Sequence, residues 1–126
     1  MSLTYSLSLA VSSTTVAAGT PFTSSWIDLS SCYDATVSWQ VTNGASGPTI
    51  AAQVQIEYAN DYNGGSPTSI TNGTFGGAIQ TQTGNSVVTA IGGIQVPGGG
   101  AIRFIVSGNT GQSVSFQADV NKRTGI

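Results

Sequence analysis

The chain has 126 residues, and only 6% of them are charged: three Lys or Arg, five Asp or Glu, no His, and a net charge of −2. Without imidazole it lacks the commonest general acid–base, the commonest metal ligand and the base of serine and cysteine triads. Its cations are Arg103, Lys122 and Arg123, too few for the several phosphate contacts of duplex binding.

No nucleic-acid partner is expected, and no membrane partner, because no apolar run approaches the roughly 18 residues of a spanning helix. One domain, residues 1–126, is the simplest organisation; a chain this long buries roughly two-thirds of its unfolded surface without staples. Apolar residues make up 39%, and the polar surface is built from Ser, Thr, Asn and Gln rather than Lys and Glu. The low net charge and the abundance of strand formers argue against disorder. Cys32 has no second cysteine to pair with, so no oxidising compartment is implied.

Period-two alternation runs through the chain, the mark of strands with one face on a core. The N-terminal stretch lacks a positive n-region, and Thr4, Ser6 and Ser8 interrupt its apolar part, so it reads as a first strand and not a signal peptide. On that strand Leu3, Tyr5, Leu7, Leu9 and Val11 share one face. A less regular strand fits Ser24–Leu29. From Thr36 to Tyr58 two alternating strands flank the turn Asn43–Pro48 and read as a hairpin. Its first arm sets Val37, Trp39 and Val41 on one face. Its second sets Ile50, Ala52, Val54, Ile56 and Tyr58 against Gln53, Gln55 and Glu57. Further strands fit Gly76–Thr83 and Ser86–Val96, with Gly92-Gly93 marking a bulge or bend. Two more carry Ile102, Phe104 and Val106, then Val114, Phe116, Ala118 and Val120. Glycine and proline punctuate the chain between strands, and no segment has three turns of helical periodicity. The expected fold is all-β, an antiparallel two-sheet β-sandwich of about eight strands, jelly-roll-like; an immunoglobulin-like sandwich is the alternative.

The search for chemistry yields little. Asp28 with Asp34, or Glu57 with Asp61, are carboxylate pairs of the kind used in glycoside hydrolysis, against the plainer reading of solvated or turn-capping acids. Asp61-Tyr62-Asn63-Gly64-Gly65 has two oxygen ligands near a turn but lacks the further acids and terminal Glu of a calcium loop. Pro97-Gly98-Gly99-Gly100 precedes a strand, not the helix a phosphate loop requires, and reads as a flexible hairpin loop. The sequon Asn72-Gly73-Thr74 matters only in a glycosylating pathway. No catalytic, cofactor or metal residue is therefore expected. Trp26, Tyr33, Tyr58 and Tyr62 keep a carbohydrate-binding sandwich open as an alternative. Neutral hydroxyl and amide surfaces desolvate more cheaply than charged ones and suit a protein that works inside an assembly.

Ser25-Trp26-Ile27-Asp28-Leu29, followed by Thr42-Asn43-Gly44-Ala45-Ser46-Gly47-Pro48-Thr49 and Gln53-Val54-Gln55-Ile56, resembles a family of small tailed-bacteriophage virion structural proteins. The likeness spans Trp26 to Tyr58. It implies a β-sandwich of the capsid cement or decoration type, assembled in the host cytoplasm, with the major capsid protein as partner and no catalytic residues to carry over. A tail- or fibre-associated role is the neighbouring alternative. A homo-oligomer would let one molecule clamp several capsid subunits. Sheet edges are natural sites for strand addition, which makes residues 1–13 a candidate edge strand or interacting arm. The interface candidates are Leu3, Tyr5, Gln53, Gln55 and Tyr62.

Overall fold

The structure, a computed structural model, describes residues 3–72 and 77–125. Met1 and Ser2 of the expected arm, Gly73 and Thr74 of the sequon and Gly76 of the expected strand Gly76–Thr83 lie outside the described residues. Among the described residues nine strands follow in order: β1 (Thr4–Val16), β2 (Phe22–Thr23), β3 (Ile27–Asp28), β4 (Asp34–Asn43), β5 (Gln53–Ala59), β6 (Ile79–Gln80), β7 (Val88–Pro97), β8 (Ala101–Ser107) and β9 (Val114–Gly125). One turn of 3-10 helix, Asn63–Gly65, is the sole helical segment among the described residues.

The strands form two antiparallel sheets, one in the order β1-β9-β4-β7 and the other β2-β8-β5-β6, with β3 also paired to β8. Counting β2 and β3 as one interrupted strand, this is the jelly-roll order. The chain is a single long hairpin in which β1 meets β9, β2 and β3 meet β8, β4 meets β7, and β5 meets β6. Rolling that hairpin brings β9 against β4 and β8 against β5, which completes both sheets. The immunoglobulin-like alternative has a different strand order.

The rolled hairpin corrects the reading of Thr36–Tyr58. Its two arms are β4 and β5, and they lie in opposite sheets, so the Asn43–Pro48 turn is a crossover. That crossover is pinned at both ends. The Asn43 side-chain amide donates to the carbonyls of Gln82 and Gly84, each at 2.9 Å. Thr49 N donates to Thr110 O at 2.8 Å. Ile50 bridges Thr110 outside β5 and is exposed, not part of the inward face.

Alternating side chains from the two sheets make the core. From β4 come Val37, Trp39 and Val41; from β5, Val54 and Ile56; from β8, Ile102, Phe104 and Val106; from β9, Val114, Phe116, Ala118 and Val120. Phe116 is the hub, with ring centroids 5.5 Å from Phe104, 6.1 Å from Phe22 and 6.5 Å from Trp39, within the tilted-pair range that adds to simple burial.

Two loops close the ends of the sandwich. The Pro97–Gly100 loop, expected to be flexible, is tightly built. Gly98 N donates to Tyr33 O and Gly99 N to Leu29 O, while Gly100 O accepts from Leu29 N. Gly99 adopts a φ of 93°, open to glycine without strain. At the other end buried Asn109 donates its side-chain amide to Val16 O and Gln112 O.

Candidate interaction surfaces

β1 is where the structure departs furthest from simple alternation. Its pairing with β9 shifts register between Leu9 and Val11, so Leu9 lies opposite Asp119 while Val11 lies opposite Ala118. One extra residue, Ala10, turns the strand over at that point. Val11 therefore enters the core, 7% exposed, and does not share the face of its odd-numbered predecessors. Leu3, Tyr5, Leu7 and Leu9 are 52%, 56%, 69% and 65% exposed. Tyr5, Leu7 and Leu9 stand opposite Arg123, Asn121 and Asp119, which belong to the outer face of the sheet. Thr4, Ser6 and Ser8 on the reverse side are exposed as well. This half of β1 is open on both faces and along its free edge.

Beside it the outer face of the β1-β9-β4-β7 sheet carries a shallow groove of about 280 Å³, lined by Leu9, Ser38, Gln40, Gly92, Gln117 and Asp119 among others. The small residues Gly92 and Ser38 leave room for it. A Cβ at Gly92 would come 3.1 Å from Ser38 Oγ. Gly92-Gly93 forms the expected bulge in β7, where the register against β4 shifts between Val37 and Trp39.

The second sheet's outer face is different. Gln53 and Gln55 point outward from β5, opposite Ser107 and Ile105 of β8, and Gln80 of β6 flanks Gln53. Tyr62 lies in the loop beyond β5, half-buried, its carbonyl accepting from Gly65 N. The five candidate interface residues thus fall in three places: Leu3 and Tyr5 on the β1 edge, Gln53 and Gln55 on the opposite sheet, and Tyr62 on a loop. Leu7 and Leu9 belong with the first pair and were absent from the candidates. Nothing in the alternation set them apart, since Ser and Thr on the reverse side are also what a strand with one face in the core shows.

Both arginines are paired within the chain, one on each outer face. Arg103 Nε donates to Glu57 Oε1 at 2.6 Å and its guanidinium lies 4.5 Å over the Trp26 ring. Arg123 holds Asp34 through Nε and Nη2, the latter at 2.7 Å, and stands 5.3 Å over Tyr33. The hydrogen bond from Arg123 keeps the Asp34 carboxyl below its usual range, and Asp34 raises Arg123 in turn. Asp28 is lowered by the Ser30 hydroxyl and amide. Asp61 accepts from Thr68 N, Thr68 Oγ1 and Ser69 N, and these bonds hold it far below an ordinary carboxyl.

The carboxylates weighed as catalytic pairs are thus each tied to a structural donor, and Asp61 binds its own loop. No group of three or more metal-ligating side chains occurs among the described residues. Cys32 is buried, its thiol donating to Leu29 O at 3.3 Å, and burial pushes that thiol up. Of the aromatics weighed as a sugar platform, Trp26 and Tyr33 each carry a guanidinium on one ring face, and Tyr58 packs against the core with its hydroxyl bonded to Gly98 O.

No protein-family model matches the sequence, and no curated protein matches it. Solved structures do match. The structure of infectious bursal disease virus, Gx strain, aligns with a TM-score of 0.56 and 12% identity over 94% of this chain, which spans 31% of the virus chain. A structure of Bacillus endospore appendages, described as disulfide-linked pili, aligns with a TM-score of 0.51 and 12% identity over 99% of this chain and 93% of that one. The prophage-derived protein YomS of SPBc2 aligns over 97% of this chain at 14% identity and a TM-score of 0.49, too slight a likeness to carry an argument. At such identities the first two show the fold alone. This chain is a jelly-roll sandwich of the kind that those two assemblies contain.

Proposed function

We propose that the protein is a non-enzymatic structural protein of a bacteriophage particle, a cement or decoration protein whose partner is the major capsid protein. The observation that carries this reading is the scarcity of charge on the outer faces, where Arg103 and Arg123 are each tied to a carboxylate and Asp119 stands among neutral amides, hydroxyls and small apolar side chains. Such a surface is cheap to desolvate and can donate and accept hydrogen bonds across a contact. The lack of an unengaged carboxylate pair supports a role without catalysis, and the jelly-roll likeness to a virus and a pilus agrees with life in an assembly. The mechanism is mass action. A subunit that binds only the mature lattice stabilises it by RT ln(1 + [L]/Kd) at each site.

The β5 face, with Gln53 and Gln55 on the opposite sheet from β1, is the capsid-contact face in this reading. Substituting both by Lys leaves the free chain's thermal midpoint unchanged, since both side chains already reach solvent, but weakens binding to capsids at least tenfold by placing unpaired charge in the contact. Equal binding by the double variant removes this face. The reading as a whole is tested by counting copies of the chain against the major capsid protein in purified particles, by quantitative mass spectrometry. A simple ratio supports it. A handful of copies per particle moves the protein to the tail or a fibre, and absence overturns it.

A further inference from the structure

A jelly roll has two sheets and therefore four edges, and natural sheets protect such edges against unwanted pairing. Three of the four are protected here. The β6 edge is two residues long; the β2/β3 edge is broken into two two-residue pieces; and β7 is bulged at Gly92-Gly93 and ends in Pro97. The fourth edge is β1, 13 residues long and, among the described residues, hydrogen-bonded to β9 alone. From Leu3 to Leu9 it has no proline and no charge, and the first charged residue of the whole chain is Asp28. The exposed Leu–Tyr stripe lies on this same unprotected segment.

We propose that β1 is a homodimer interface, pairing antiparallel with β1 of a second copy about a two-fold axis perpendicular to the sheet. The occupant follows from what this edge lacks. With no charge on the segment it needs no oppositely charged partner and does not repel itself. With the three other edges blunted, the edge suited to receive β1 is another β1, which makes the contact isologous and closed. The register follows from the spacing. Placing the axis at Ser6 sets Leu3 opposite Leu9 of the second copy and Tyr5 opposite Leu7, so all four apolar side chains of each copy find apolar neighbours. An axis at Leu7 sets Leu3 against Val11 beyond the bulge, an axis at Tyr5 sets Leu9 against residue 1, outside the described residues, and half-step registers set the stripe against Ser and Thr. Seven residues of ladder span about 23 Å, and the two four-stranded sheets become one of eight strands. Arg123, opposite Tyr5, brings no net charge to the seam because Asp34 neutralises it. This inference stands apart from the capsid reading, since it uses neither the β5 face nor any viral partner.

The test is the mass of the full 126-residue chain in solution, by light scattering and sedimentation equilibrium over micromolar concentrations. The expected result is a dimer. The Leu7→Glu variant, altered at a side chain already 69% exposed, is expected to be monomeric with the circular dichroism of the parent. Should that variant fail to fold, Ser6→Cys decides the matter separately. Cys32 is buried and engaged, so the new thiol meets its own copy across the axis at a Cα separation that a disulfide spans, and mild oxidation yields a covalent dimer. A monomeric parent, a dimer that survives Leu7→Glu, or a concentration-dependent ladder beyond the dimer would each overturn the proposal.

Discussion

Asp61 shows how one carboxylate can build a loop. It lies where β5 ends, and its two oxygens take the amides of Thr68 and Ser69 and the hydroxyl of Thr68, tying together a seven-residue excursion. Bonds of this kind favour the ionised form, and Asp28 and Asp34 are lowered in the same direction. A carboxyl whose folded pKa is depressed contributes stability that is fully present above its unfolded value, near 3.8, and is lost as pH falls through the folded value. Asp61→Asn removes that dependence along with one ionised acceptor. The variant should melt below the parent at pH 7, and the gap should close as the pH is taken from about 4 toward 2. Thermal melts of both proteins across that range check it; a gap that stays constant would mean the carboxylate charge does not hold the loop.

Among the elements, the Pro97–Gly100 loop is the sharpest case of glycine used for closeness rather than freedom. A Cβ on Gly100 would overlap the carbonyl oxygen of Ala59, and one on Gly98 would overlap that of Cys32. Both contacts are with backbone, which cannot swing aside. Gly100→Ala should therefore cost roughly 1–3 kcal/mol of stability, as overpacking does. Gly44→Ala, whose nearest neighbour would be 3.9 Å away, should stay within about 0.5 kcal/mol. Urea unfolding of both variants measures the difference, and equal costs would contradict the close approach. The sequence reading of this loop as flexible failed because glycine content cannot tell a slack turn from a crowded one. Strand positions, by contrast, were legible: alternation located β4, β5, β8 and β9 and their inward residues, and Gly92-Gly93 announced the bulge in β7. Pairing was not legible, because a period of two gives the face of a strand but never its neighbour. In a jelly roll β4 and β5, adjacent in sequence, belong to different sheets. The same limit hid the outward turn of Leu7 and Leu9, since the residue that reverses β1, Ala10, is an ordinary alanine that fits any strand.

Taken whole, the molecule has eight charged side chains, and four of them are paired with one another. The Glu57–Arg103 and Asp34–Arg123 pairs are both internal, and no charge lies on the β1 edge between Leu3 and Leu9. Association of this chain should then depend on apolar burial and main-chain hydrogen bonds, which salt scarcely screens. Charge-driven association behaves otherwise: the screening length contracts from roughly 10 Å at 0.1 M salt to roughly 3 Å at 1 M, and steering between opposite charges disappears. The dimer dissociation constant should change less than about threefold between 0.1 and 1 M sodium chloride, and sodium sulfate, which strengthens apolar burial by its exclusion from protein surfaces, should tighten it. Sedimentation equilibrium in the two salts reads both effects. A tenfold weakening in sodium chloride would show that the contact is ionic. The seam would then have to lie where Asp119, Lys122 or Arg123 meets a second copy, and not along the neutral residues of β1.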